Sequence, residues 1–199
     1  VIVDAIRSPM GRAKPDGALA QVHPVDLLAQ VLEQLMVRNH LDPGAVDDVI
    51  CGCVSQVGEQ AGTPGRMAWL AAGLPEHVPS TTIDRKCGSS QQAVHFAAQA
   101  IMAGVQDIVI ACGIESMSRV PMGSARMGQN TTGARFDARY APGLVGQGVA
   151  ADLVAAKWDL GRTELDAYAA RSHQRAHAAQ ASGAFAREIV GIDTPSGRV

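Results

Sequence analysis

Apolar residues recur along this chain in two alternating rhythms. From Pro24 to Asn39 they fall at Val25, Leu28, Val31, Leu32, Leu35 and Met36, the three-to-four spacing that lines one face of a helix. Shorter runs frame it: Val1 to Ile6, closed by Arg7-Ser-Pro9, reads as a buried strand ended by a breaker, and Asp47 to Val54 has strand character again. Gly65 to Ala72 predicts a second helix, ended by Gly73-Leu-Pro75. Ser80 to Asp84 predicts a strand, Ser89 to Ala103 a helix and Asp107 to Ala111 a further strand. Strands and helices in alternation predict an α/β fold built in layers.

The alternation stops after Met117. Between Ser118 and Gly148, Gly, Pro, Arg and Asn occur without sustained periodicity, a length of irregular chain that is usually functional or disordered. Helical signal resumes from Gln147 to Trp158 and from Glu164 to Ser182, where Thr163 to Asp166 loosely fits a capping box. A boundary near Met117 follows, with residues 1–117 as one half-domain and 118–199 as an appended segment.

Composition narrows the function classes. With 199 residues and a formal net charge of -2, the chain suits one domain plus an appendage and carries no basic footprint for nucleic acid. Aromatics at 4% leave few platforms for stacking bases. No stretch approaches the roughly 18 consecutive apolar residues of a membrane span. Four cysteines in a chain this long do not make a disulfide scaffold, so a reducing compartment is expected, cytoplasmic or the lumen of an organelle.

Candidate chemistry centres on Cys87, in the run Ser80-Thr-Thr-Ile-Asp-Arg-Lys-Cys-Gly-Ser-Ser-Gln-Gln-Ala-Val94, where a strand gives way to a small-residue helix. Unpaired N–H groups and the positive end of a helix dipole favour thiolate over thiol, and Arg85 and Lys86 push the same way. A cysteine at such a turn also serves as a small packing residue. Cys51 and Cys53, two apart on a strand, share a face, and with no second ligand pair nearby they suit packing better than metal. Cys112 beside Gly113 reads as packing too. Among the histidines, His95 lies about two turns along the helix from Cys87 and makes a poor partner for it. His173 and His177 lack a third metal ligand, and His23, His40 and His77 sit at helix ends or in a Pro-rich loop. Gly58-Glu-Gln-Ala-Gly-Thr-Pro-Gly65 lacks the Gly-Lys-Ser/Thr ending of a nucleotide loop.

The stretch Cys87-Gly-Ser-Ser-Gln-Gln-Ala resembles the nucleophile motif of thiolases, and Cys112-Gly-Ile-Glu-Ser-Met-Ser-Arg-Val-Pro-Met122 is similar to their Gly-Gly-Met-Glu-Ser-Met-Ser signature. Asp4-Ala-Ile-Arg-Ser-Pro-Met-Gly-Arg12, Gly52-Cys-Val-Ser-Gln56, Ala71-Ala-Gly-Leu-Pro75 and Tyr168-Ala-Ala-Arg-Ser-His-Gln-Arg-Ala176 extend the resemblance over nearly the whole chain. It implies the N-terminal half of a layered α-β-α-β-α fold with an inserted loop domain. It also implies an acyltransferase that cleaves 3-oxoacyl-CoA to acetyl-CoA and a shortened acyl-CoA, or runs the reverse condensation. Cys87 would carry the acyl group, as a thiolate suits. Coenzyme A would be a substrate, with no metal and no further cofactor, and the protein would form homodimers or homotetramers. Glu115 reads either as a catalytic carboxylate or as a buried anchor bonded to backbone, and the role of this segment in shaping the family's site and subunit contact favours the anchor. Arg119, Arg126, Arg135 and Arg139 are expected either to reach coenzyme A phosphates or a neighbouring subunit, or to remain solvated.

Departures from the family pattern carry their own expectations. The family's Gly-His-Pro segment and its second Cys in Cys-x-Gly-Gly-Gly do not occur before Val199, so the acid/base groups a Claisen reaction needs are expected on further chain or on a partner chain. Ser90 stands where the family usually has Gly. Gly146-Gln147-Gly148 stands where many members carry His-Met-Gly along the pantetheine path, which points to longer or bulkier acyl groups and makes Gly146 and Gln147 candidate substrate-binding residues. Two other readings remain: a noncatalytic thiolase-like chain that binds acyl-CoA or assembles with a partner, and a 3-oxoacyl synthase relative.

Overall fold

Pro24 occupies the first position of helix α1 (Pro24–Asn39), where a missing N–H costs nothing, and the His23 Nδ1 accepts the Val25 N–H at 3.2 Å to cap it. The helix stops where His40 turns left-handed, with φ 49°. Its apolar stripe buries as the spacing predicts: Leu28, Leu32 and Met36 are in the core, with Val25, Val31 and Leu35 packed beside them. Leu32 is 1% exposed, and burying such a side chain stabilises the fold by about 2 kcal/mol. The computed structural model describes residues 1–199 throughout.

Three parallel strands form the sheet: β1 (Asp48–Gly52) at the centre, β2 (Ser80–Ile83) on one side and β3 (Val109–Gly113) on the other. Between them run α2 (Pro64–Ala71) and α3 (Ser89–Met102). Because strand side chains alternate, Val49 and Cys51 enter the core shared with α1 and with Trp69 of α2, whereas Ile50 packs with Ala93 and Ala97 of α3. The sheet therefore lies between α1 and α2 on one face and α3 on the other, a helix–sheet–helix sandwich that accords with the α/β fold expected from sequence. At the start of β1, the Asp47 carboxylate accepts the N–H groups of Asp107 and Ile108 at 2.7 and 3.0 Å, which sets the register of β3 and holds that carboxyl below its ordinary pKa.

Two glycines face each other at the far end of the sheet. Gly52 of β1 pairs in register with Gly113 of β3, and the first turn of α3 rests on them. A Cβ on Gly52 would lie 2.5 Å from the Ser90 nitrogen and 2.6 Å from the Ser89 carbonyl carbon, and one on Gly113 would lie 1.9 Å from the Ser90 hydroxyl. Only glycine permits that approach.

The first expected strand is not formed. Val1, Ile2 and Val3 are exposed, and pairing begins only at Arg7, whose N–H donates to Glu188 O at 2.8 Å and whose carbonyl accepts the Val190 N–H at 2.9 Å. An apolar run becomes a strand only where a neighbouring strand pairs with its backbone; residues 1–6 pair with none, and the Ala5 N–H donates instead to the Asp4 carboxylate at 2.8 Å. The chain forms two compact units, residues 1–127 with 187–199, and residues 128–186. Residues 118–127 and 187–199 thus group with the sheet. The second unit carries α4 (Ala134–Arg139), α5 (Gln147–Lys157) and α6 (Arg162–Ala181), none of which has a buried residue. Helix α6 begins at Gly161 rather than at a Thr163 capping box, and Arg162 pairs with Asp166 along its first turn. A short antiparallel pair, β4 (Asp193–Thr194) and β5 (Gly197–Arg198), ends the first unit.

Replacing Gly52 by Ala is expected to cost about 1–3 kcal/mol in urea unfolding, because backbone rather than a flexible side chain blocks the new methyl. Gly62→Ala, whose methyl would meet only Met67 at 3.9 Å, should stay within about 0.5 kcal/mol of the parent.

Candidate active site

Cys87 sits on a tight turn between β2 and α3. Asp84 closes the strand, and its Oδ1 accepts the Lys86 N–H at 2.8 Å. Lys86 is left-handed with φ 51°, a conformation that costs a residue with a Cβ about 1 kcal/mol. The Gly88 N–H then donates to Arg85 O at 3.1 Å and the Ser89 N–H to Lys86 O at 3.0 Å. Ser89, 4% exposed, locks the turn with its hydroxyl, which accepts the Arg85 N–H at 2.9 Å and donates to Lys86 O at 2.6 Å. The Cys87 that these bonds frame is the exposed member of the four free cysteines.

The two neighbouring cations have different partners: Lys86 pairs with the Asp84 carboxylate, whereas the Arg85 guanidinium bonds to the neutral amide of Gln92 and keeps its charge uncompensated. Helix α3 begins at Gly88 with no side-chain cap. Cys87 thus directly precedes the N-terminus of α3, where the Ser89 N–H is already held by Lys86 O at 3.0 Å.

The other thiols are packed into the fold. Cys51 and Cys53 are buried. Burial, with the Glu115 carboxylate nearby, pushes the Cys53 thiol up to about 12. The Cys112 thiol is raised by its hydrogen bond to Cys51, its register partner across β1 and β3, and then by burial of the sulfur. These three are packing residues of the kind the sequence predicted.

Glu115 is the anchor expected of it. Its carboxylate accepts the N–H groups of Val54 and Ser55 at 2.8 and 3.2 Å and the Gln60 amide at 3.2 Å. Gln60, with no exposed surface, also donates to Ser55 O at 2.9 Å and accepts the Ser116 N–H at 2.7 Å. The loops that follow β1 and β3 are thereby tied together. Arg119 holds Glu59 through two bonds of 2.6 and 2.7 Å and donates to Ala20 O at 3.1 Å, so it fastens the signature loop to its own unit instead of standing free for a phosphate. His95 is exposed on α3, and no group of three His, Cys, Asp or Glu side chains is placed to hold a metal ion. Gly146 and Gln147 lie in the second unit, at the N-cap and first position of α5.

Sequence reasoning did not single out Ser89, Asp84 or Gln60. An Asp two residues before a left-handed position is a legible signal, because Asp often accepts a backbone N–H two residues on. The double role of Ser89 and the buried amide of Gln60 had no local signature.

A thiol exposed on a strand-to-helix turn, just before the start of a helix that rests on paired strand ends, is the kind of setting in which a cysteine can serve as a nucleophile. Family comparison then places the chain. The profile described as thiolase, N-terminal domain, matches residues 1–198, and the chain belongs to the thiolase family. It is 45% identical over 208 residues to the steroid 3-ketoacyl-CoA thiolase FadA6 of Mycobacterium tuberculosis, an alignment covering 98% of this chain and 50% of that protein. It is 43% identical over 194 residues to 3-ketoacyl-CoA thiolases of Aeromonas hydrophila and of Shewanella sp. strain ANA-3, covering 97% of this chain and 49% of each. The chain spans about half the length of the curated relatives it matches.

Brief treatment with iodoacetamide at neutral pH is expected to alkylate Cys87 and spare Cys51, Cys53 and Cys112, as read by peptide mass. The buried Cys53 also sets a pH dependence. Its folded pKa is about 12 against an ordinary 9.0, so its contribution to stability is complete below pH 9.0 and is lost as pH rises toward 12. Urea midpoints should fall across that window, and by less in Cys53→Ala.

Proposed function

We propose that this chain is part of an acyl-CoA C-acyltransferase in which Cys87 carries an acyl group between coenzyme A thioesters. The Cys87 sulfur attacks the C3 carbonyl of a 3-oxoacyl-CoA, and the C2–C3 bond breaks. The acyl group stays on sulfur as a thioester, and acetyl-CoA leaves after its C2 gains a proton. The thiol of a second coenzyme A then attacks the thioester, loses its proton, and releases a shortened acyl-CoA and free Cys87. The reverse sequence is a Claisen condensation. The N–H of Cys87, at the start of α3, is a donor suited to the oxyanion that forms at the attacked carbonyl. The two proton transfers call for acid and base groups beyond Cys87, supplied by further chain or by a partner chain.

The observation that carries this reading is the exposure of Cys87 on a braced turn at an uncapped helix start, while every other thiol is packed or raised. Coenzyme A is a substrate and no cofactor is needed. Gly146 and Gln147 lie on the pantetheine path, and the absence of a His there favours a longer or bulkier acyl group, in keeping with the name of the steroid 3-ketoacyl-CoA thiolase relative. The whole protein works as a homodimer or homotetramer, and exposed Phe96, Ile101 and Met102 on α3 supply apolar surface for burial in that assembly. Free cysteines suit a reducing compartment such as the cytoplasm. No helix is long and apolar enough to cross a membrane.

In the full-length natural protein, Cys87→Ala is expected to lower cleavage of 3-oxoacyl-CoA by at least about 10³-fold with an unchanged circular-dichroism spectrum. Retained turnover would remove Cys87 from the reaction. A parent that binds acyl-CoA but never turns it over would support the noncatalytic reading. Gly146→His has room for its ring, since nothing lies within 4 Å of a Cβ there, and should shift acyl-length preference more than turnover of acetoacetyl-CoA. An unchanged preference would remove Gly146 from the substrate path.

A further inference from the structure

We infer that Ser89, together with Asp84, is a positioning residue for the Cys87 thiol. The inference rests on the acyl-transfer reading above and deepens it. Cys87 follows Lys86, a residue with a Cβ held at φ 51°, and such a conformation persists only where its surroundings over-determine it. Two side chains do so here. The Asp84 Oδ1 takes the Lys86 N–H, and the Ser89 hydroxyl takes the Arg85 N–H while donating to Lys86 O, so the peptides on both sides of the strained residue are fixed by atoms that never touch the thiol.

Ser89 is well placed to transmit rigidity. It is buried at 4% exposure, and its carbonyl carbon would lie 2.6 Å from a Cβ on Gly52, so it is wedged against the end of the central strand. A hydroxyl that both accepts and donates within one turn makes that turn continuous with the sheet. Attack on a thioester demands a sulfur and an oxyanion donor in fixed relation, and a displacement of an ångström costs up to about 10²-fold. Alkylation by a small, freely diffusing reagent makes no such demand. Loosening the turn therefore separates two rates that unfolding would change together.

The test compares the full-length natural protein with Ser89→Ala, Asp84→Ala and Asp84→Asn. Rapid quenching with acetyl-CoA gives the rate of acetylation at Cys87, iodoacetamide gives its alkylation rate, and alkylation of buried Cys53 reports unfolding. Ser89→Ala and Asp84→Ala are expected to acetylate about tenfold more slowly at saturating acetyl-CoA, with half-saturation, Cys87 alkylation and Cys53 protection each within about twofold of the parent. Asp84→Asn keeps an acceptor for the Lys86 N–H and should recover most of the rate. Parental acetylation rates in both alanine variants would overturn the inference, as would parallel changes in acetylation, alkylation and Cys53 exposure. A parent that takes no acetyl group at all would overturn the acyl-transfer reading itself, and the inference with it.

Discussion

The start of α3 comes down directly onto the ends of two strands. Gly52 and Gly113 lie opposite each other at the ends of β1 and β3, and α3 starts directly upon them. A methyl group on either would meet Ser89 or Ser90 at less than van der Waals distance, so the start of α3 could not come down onto the strand ends. The chain passes from β2 into α3 by way of one left-handed residue. Lys86 is that residue, and Cys87 follows it at the surface, just before the helix start.

Environment, more than residue type, separates the four cysteines. Cys51 and Cys112 sit opposite one another within the sheet and Cys53 follows at the end of β1, where burial and the Glu115 carboxylate keep its thiol protonated. The same carboxylate organises the neighbouring loops by collecting two backbone N–H groups and the Gln60 amide. Because Arg119 and Glu59 tie the signature loop to the turn at Gly58–Gln60, the strand ends on which α3 rests are braced from the outside. Buried polar groups satisfied this fully stiffen a structure rather than loosen it.

Periodicity carried the sheet and its helices well. The stretches assigned to α1, β1, α2, β2, α3 and β3 lie where expected, to within a residue or two, because each helix carries one apolar face, the strands are short and bounded, and Gly, Pro or polar residues break the chain between them. Cys87 was visible through its strand-to-helix setting and its motif. Val1 to Ile6 failed as a strand because strand formation depends on a pairing partner, which a local apolar run does not specify. Charge at Arg85 and Lys86 is visible in sequence but its partners are not, and the Asp84 carboxylate pairs with Lys86 while the Arg85 guanidinium meets only the neutral Gln92 amide. Ser89 and Gln60 went unremarked since their importance lies in bonds formed after the chain has folded.

The central claim is that this scaffold directs an acyl group to one sulfur among four. Its most direct test is to incubate the full-length natural protein with acetyl-CoA, digest it without reductant, and locate the acetyl group among the cysteine peptides by mass. The account predicts acetyl on the Cys87 peptide alone; acetyl on Cys51, Cys53 or Cys112, or on no cysteine, would contradict it.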